Sequence, residues 1–224
     1  MGQLTEEAVT DEGMTEEVVT GPVVNAAVIY YSATGTIFAL AKAAAAAAEK
    51  AGAEVRLRKV RELAPAEAIA SSQGWAAHAA ATQYVVEASL EDLRWADVLL
   101  FGTPTRYGNP TAQMRQFIDT TGGLWAQGLL VNKFVSSFTA SSTTHGGQES
   151  TILAMNNTFY HWGAIIVPPG YADPVQFRSG NPYGTSHTSD NGTIPPGEVQ
   201  LEAMDFQARR VVEIAAAFLR GRVP

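Results

Sequence analysis

The sequence predicts an α/β protein: a doubly wound, five-stranded parallel sheet in the order 2-1-3-4-5, with helices on both faces. Three observations carry this. Short apolar runs alternate with longer stretches of helical periodicity, the pattern of a parallel sheet covered on both sides. The chain from Val23 to Pro224 has the length of one domain able to bury its own core. The polar, glycine-bearing loops follow the first, third and fourth strands, and sheets of this kind bind ligands beyond the carboxyl ends of their strands.

Val23–Tyr31 is short and rich in β-branched and aromatic residues, as a strand buried on both faces should be. Ile37–Lys50 is a helix closed by Gly52. Its alanine run, 43 to 48, combines high propensity with a small face for packing on a sheet. Glu54–Val60 alternates as an edge strand does. Residues 61–90 are weakly periodic and are expected to be irregular with short helical pieces. Leu90–Ala96 is a short helix, and Val98–Phe101 a buried strand stopped by Gly102. Thr111 caps a helix that places Met114, Phe117 and Ile118 on one face. Lys133–Phe138 is the fourth strand. Gln148–Trp162 is a helix with Ile152, Met155 and Phe159 at helical spacing, and Ala164–Val167 is the fifth strand. Pro168–Gly197 is loop-like, and a structureless loop of that length is usually functional or disordered. An amphipathic helix from Glu198 closes the chain, with Leu201, Met204, Ala208, Val211, Val212, Ala215 and Phe218 as its stripe.

The chain has 224 residues, no cysteine and a formal net charge of -7. The absence of cysteine excludes disulfide frameworks, iron–sulfur clusters, zinc ribbons and thiol nucleophiles. Six of the 22 acids and none of the 15 bases fall in residues 1–22, so the body carries a net charge of only -1. Residues 1–22 are expected to form a disordered acidic leader and 23–224 a single domain. No basic stripe suggests nucleic acid, and no apolar run nears the ~20 residues of a membrane span. The four histidines lack metal-ligand spacing. A cytoplasmic protein without metal, nucleic acid or membrane insertion is the expectation.

Three loops carry chemistry. Ser32-Ala33-Thr34-Gly35-Thr36-Ile37 joins a buried strand to a helix N-terminus, where unpaired N–H groups and hydroxyls suit a phosphate. It lacks the lysine of a nucleotide-hydrolysing loop and the G-x-G-x-x-G fingerprint, and by itself it could equally be a helix-capping cluster. The second loop, Gly102-Thr103-Pro104-Thr105-Arg106-Tyr107-Gly108-Asn109-Pro110, offers an aromatic face. The third, Thr139-Ala140-Ser141-Ser142-Thr143-Thr144-His145-Gly146-Gly147-Gln148-Glu149, lets backbone amides approach a flat heterocycle edge-on. Together they describe a mononucleotide site with a planar ring, that of FMN.

At these residues the chain resembles a known family. Ser32–Thr36 is similar to the flavodoxin phosphate loop. Gly102–Asn109, Thr121-Gly122-Gly123-Leu124-Trp125, His145-Gly146-Gly147-Gln148-Glu149, His161-Trp162-Gly163, Pro169-Gly170-Tyr171 and Gly180–Gly184 resemble the WrbA family of NAD(P)H:quinone oxidoreductases, over roughly residues 24 to 220. The resemblance implies a flavodoxin-like fold, non-covalent FMN, a homotetramer, and two-electron quinone reduction with NADH or NADPH as co-substrate. It implies that Ser32 through Ile37 hold the phosphate. Pro104, Thr105, Arg106, Tyr107 and Gly108 run along the ring, and Ala140, Ser141, Ser142, Thr143, Thr144, His145, Gly146 and Gly147 meet its pyrimidine side. Trp125, Tyr107 and His145 border the substrate. No side chain is expected to be catalytic, because the hydride chemistry belongs to the flavin.

Two positions depart from the family pattern. Thr34 stands where better-known members carry a tyrosine that meets the nicotinamide cofactor, which leaves the choice between NADH and NADPH open. Trp162 stands where they carry a flavin-facing histidine; it could stack or wall the pocket at the cofactor but cannot act as an imidazole. A one-electron carrier and a non-enzymatic FMN-containing interaction protein are the alternative readings.

Overall fold

The computed structural model describes residues 22–221. Apart from Pro22, the acidic leader lies outside the described residues. Strands β1 (Asn25–Tyr30), β2 (Glu54–Lys59), β3 (Val98–Arg106), β5 (Phe134–Ser141) and β6 (Ile165–Ile166) form a parallel sheet in the order β2-β1-β3-β5-β6. This is the expected topology, with two added strands. The two-residue β4 (Asn109–Pro110) folds back antiparallel on β3, and β7 (Ser186–Thr188) runs parallel to β5. β6 pairs with Phe134 and Val135, whereas β7 pairs with Thr139 to Ser141. The two fragments therefore share one edge position, interrupted by residues 167–185.

The alternation of each central strand sorts its side chains into two layers. Val28 and Tyr30 of β1 and Leu100 of β3 pack with α1 (Thr36–Lys50) and α9 (Glu198–Arg220). Ile29 of β1 with Leu99 and Phe101 of β3 meet the opposite layer. That layer is formed by α4 (Leu90–Trp95), α5 (Ala112–Asp119) and α7 (Gln148–Trp162). The alanines of α1 that face the sheet and α9, among them Ala41, Ala44 and Ala48, are fully buried, which is the use of the small face. On α9, Met204, Ala208, Val211, Val212 and Ala215 are buried, while Leu201 and Phe218 at the two ends of the stripe stay exposed. Thr111 caps α5 by accepting from the Met114 amide at 3.3 Å. Two short helices, α2 (Ala66–Ala70) and α3 (Gln73–Ala81), lie in the segment expected to be irregular, and α6 (Gly122–Ala126) follows α5.

Several boundaries differ from expectation: β5 runs on through Ser141 rather than ending at Phe138, and β6 is only Ile165–Ile166. β3 does not stop at Gly102 but runs on to Arg106. Gly102 is there for close packing: a Cβ at that position would lie 2.3 Å from the Phe138 ring and 2.9 Å from Ile37 Cγ2. The stretch expected to be one loop, 168–197, contains α8 (Pro174–Ser179), β7 and a 3₁₀ turn at Asp190–Gly192. The Asp173 carboxylate caps α8 by accepting from the Val175 amide at 2.9 Å.

Gln207 fastens this segment. From α9 it donates to Ser136 Oγ (2.7 Å) and to the Ser137 carbonyl (2.8 Å), and its Oε1 accepts from the Thr185 amide (2.7 Å). It is fully buried. Gln207→Leu strands the Thr185 N–H and is expected to cost about 2–3 kcal/mol. The expected signature is a lower urea midpoint at unchanged m-value.

Candidate functional site

Beyond the carboxyl ends of β1, β3 and β5 lies a cleft of about 580 Å³. Its first wall is the turn after β1, with Ser32, Ala33, Thr34, Thr36 and Ile37 facing the cleft. Gly35 is the N-cap of α1 at φ 96, and its N–H donates to Ser32 Oγ at 3.1 Å. Among the described residues no side chain caps α1. The leading N–H groups of the helix and the surrounding hydroxyls are therefore the donor set for an anion, which the helix dipole also favours.

The second wall is the hairpin between β3 and β4, with Pro104, Thr105, Arg106 and Tyr107. Tyr107 has φ 54 and its side chain is fully exposed. Thr105 Oγ1 holds the hairpin by accepting from the Gly108 amide (3.0 Å) and from Thr151 Oγ1 (2.8 Å). The third wall is the end of β5, with Ala140, Ser141, Ser142, Thr143 and Gly146. Gln148 donates to Ser141 Oγ at 2.8 Å, fixing this loop to the first turn of α7. Gly147, the N-cap of α7, interlocks with the hairpin: a Cβ on it would lie 2.7 Å from Gly108 Cα. Among the described residues, Arg106 is the one formally charged side chain in the lining.

Of the residues expected at the site, fourteen line this cleft. Gly35, Gly108 and Gly147 shape its loops without lining it, and Thr144 and His145 sit exposed just outside. Trp125 is elsewhere on the surface, its Nε1 donating to the His161 carbonyl at 2.8 Å. Trp162 is a correction: it is buried among Phe101 and Phe159, ring centroids 6.0 and 5.5 Å away, and neither stacks in nor walls the cleft of its own chain. A fourth wall was missed by sequence reasoning: Ser189, Asn191 and Gly192 also line the cleft. The length of the polar stretch 168–197 was the available signal, but nothing in its composition singled out these three residues.

Behind the first wall, Glu62 gathers donors from three segments. Its carboxylate accepts from Tyr31 (2.8 Å), Trp75 Nε1 (3.1 Å), Gln113 Nε2 (2.7 Å) and the Leu63 and Ala64 amides. Burial opposes ionisation of Glu62, but these hydrogen bonds outweigh it and hold the carboxyl below its ordinary value. Asp92 behaves alike: against the cost of burial, Ser89 and Arg58 keep it low. A depressed carboxyl contributes stability that is present above its unfolded value and lost as pH falls through its folded one. The melting temperature is therefore expected to hold on acidification to about pH 5 and then decline. Glu62→Gln should make that decline shallower in a scan of melting temperature against pH. Among the described residues no group of three or more His, Asp or Glu could hold a metal ion, and no helix is long and apolar enough to cross a membrane.

Residues 26–175 match the family of NADPH-dependent FMN reductases. The chain belongs to this family. Among its relatives, the NAD(P)H dehydrogenase (quinone) of Deinococcus radiodurans is 48% identical over 194 residues, covering 86% of this chain and 96% of that protein. The protein of the same name from Aromatoleum aromaticum is 45% identical over 202 residues, covering 87% and 97%. Among solved structures, a flavodoxin described as WrbA-like from Agrobacterium tumefaciens superposes with a TM-score of 0.61 at 24% identity, covering 86% and 97% of the two chains. An archaeal flavodoxin gives 0.55 at 17%, covering 85% and 98%. The fold of this FMN reductase family member is thus flavodoxin-like.

Proposed function

We propose that this protein is an FMN-dependent NAD(P)H:quinone oxidoreductase. One observation carries the reading: three loops from separate parts of the chain converge on a single cleft, with hydroxyls and a helix N-terminus at one wall and an exposed aromatic hairpin at another. The residues fit FMN. Ser32, Thr34, Thr36 and the α1 N-terminus would hold its phosphate, in a turn that itself carries no lysine or arginine. Pro104 to Tyr107 would flank the ring, and the loop from Ala140 to Gly146 would meet its polar edge. When bound, FMN would supply the two-electron chemistry that links NADH or NADPH to a quinone. The protein's part is to hold the ring, to leave one face open to each substrate in turn, and to direct amide donors at the edge where negative charge develops on reduction.

A homotetramer and a cytoplasmic location belong to the same reading. Exposed aromatics support the first: Trp125, Tyr160 and the stacked pair Tyr171 and Phe177 leave large apolar area for a second copy. The need for reduced nicotinamide supports the second. Light scattering is expected to give four times the mass of one chain.

The deciding experiment is the visible spectrum of the purified protein. The yellow oxidised flavin should bleach on adding NADH or NADPH and return on adding benzoquinone. Bleaching that requires a separate reductase would identify a one-electron carrier. A chain that cannot be loaded with FMN would overturn the assignment.

A further inference from the structure

The fourth wall of the cleft lies on a run of three consecutive left-handed residues, Asp190 (φ 43), Asn191 (φ 56) and Gly192 (φ 88), of which the last two line the cleft. Non-glycine residues enter this region at a cost, and a run of them persists only where the surroundings impose it. Here the surroundings are the first and third walls. On one side Gly192 sits on Thr34: a Cβ at position 192 would lie 2.5 Å from Thr34 Oγ1 and 2.8 Å from Thr34 Cβ. On the other side the Asp190 amide donates to the Ser142 carbonyl (3.1 Å), and Ser142 Oγ donates to Asn191 Oδ1 (2.9 Å). The Ser189 amide and hydroxyl both bond the Ser141 carbonyl, at 2.8 and 3.2 Å. Residues 189–192 thus form a strap from the end of β5 to the phosphate-binding turn. Asn191 lines the cleft, and with its Oδ1 engaged by Ser142 its Nδ2 donors have no partner among the described residues.

We propose that Asn191 is a cofactor-binding residue whose amide donates to the phosphate end of the flavin nucleotide, and that the strap makes the site discriminate FMN from riboflavin. This rests on the FMN reading above. The placement follows from the strap's contact with Thr34, inside the phosphate turn. The donor adds to a cradle that contains no lysine or arginine, where each amide or hydroxyl bond to a charged oxygen counts for more than a neutral one.

The test uses the full-length chain freed of flavin and titrated with FMN and, separately, with riboflavin, read by quenching of flavin fluorescence. Asn191→Ala is expected to raise the FMN dissociation constant about 10-fold, the loss of one hydrogen bond to a charged group. Asn191→Asp keeps the acceptor for Ser142, and with it the shape of the strap, but puts a carboxylate where the donors were. It should weaken FMN further, by roughly 30-fold or more, at an unchanged melting temperature. Riboflavin affinity should stay within about 2-fold in both variants, so the preference for the phosphorylated form shrinks. Unchanged FMN affinity in Asn191→Asp, or equal losses for the two flavins, would overturn the assignment. A wild-type chain that binds neither flavin would instead refute the FMN reading, and the role of Asn191 with it.

Discussion

Gly102→Ala is expected to lower stability by about 3 kcal/mol, the upper range for overpacking a well-filled core. For a domain of this size that is a fall of roughly 6–12 °C in melting temperature. The added methyl would lie 2.3 Å from two ring atoms of Phe138 and 2.9 Å from Ile37, and both of those side chains are fully buried. Gly102 pairs with Tyr30 on one side and Phe138 on the other, at the centre of the sheet, so the backbone has no edge toward which to relax. The ring must move instead. Phe138→Leu in the same chain should recover part of the loss, and a double-mutant cycle by urea denaturation should give a clear coupling between the two positions. Strictly additive effects would show that the ring is not the obstacle.

Ser32→Asp should have the largest effect on the cofactor. The serine hydroxyl accepts the Gly35 N–H, and a carboxylate can accept the same bond, so the turn should keep its shape. The new charge would stand beside the bound phosphate. At an effective dielectric constant near 20, like charges a few ångströms apart repel by on the order of 3 kcal/mol or more, which is about a 100-fold or greater loss of FMN affinity. Riboflavin carries no phosphate and should bind nearly as before. Equal binding of FMN to the variant and the parent chain would place the phosphate elsewhere.

Much of this architecture is legible in the sequence, and the gaps have physical reasons. β1 and α1 are read directly, because Val28, Ile29 and Tyr30 are sealed on both faces and the alanines of α1 face the sheet. Gly102 misleads because a glycine in a strand looks the same whether it ends the strand or makes room for a ring thirty-six positions away. β7 is invisible because Ser186, His187 and Thr188 have neither alternation nor apolar character, and it is defined by pairing with β5 and by Gln207. The turn after β1, the aromatic hairpin and most of the Ala140–Gly146 loop could be found as walls of the cleft, since each follows a buried strand. Trp162 could have been placed correctly from periodicity alone. It continues Ile152, Met155 and Phe159 on the buried face of α7, and that spacing outranked its position in a motif. The strap at 189–192 was hidden because its position depends on contacts with Thr34 and Ser142, neither of them near in sequence.

The shared edge position of β6 and β7 has a consequence for the order of assembly. β2, β3 and β5 can pair as they emerge, since each finds its neighbour in chain already made. β7 cannot be secured that way. Thr185, just before it, is held by Gln207, and Gln207 lies on α9, which follows all seven described strands in the chain. Such long-range closures are intrinsically late steps in folding. The walls that follow β1, β3 and β5 are therefore expected to form before the fourth, whose approach waits for α9 to dock.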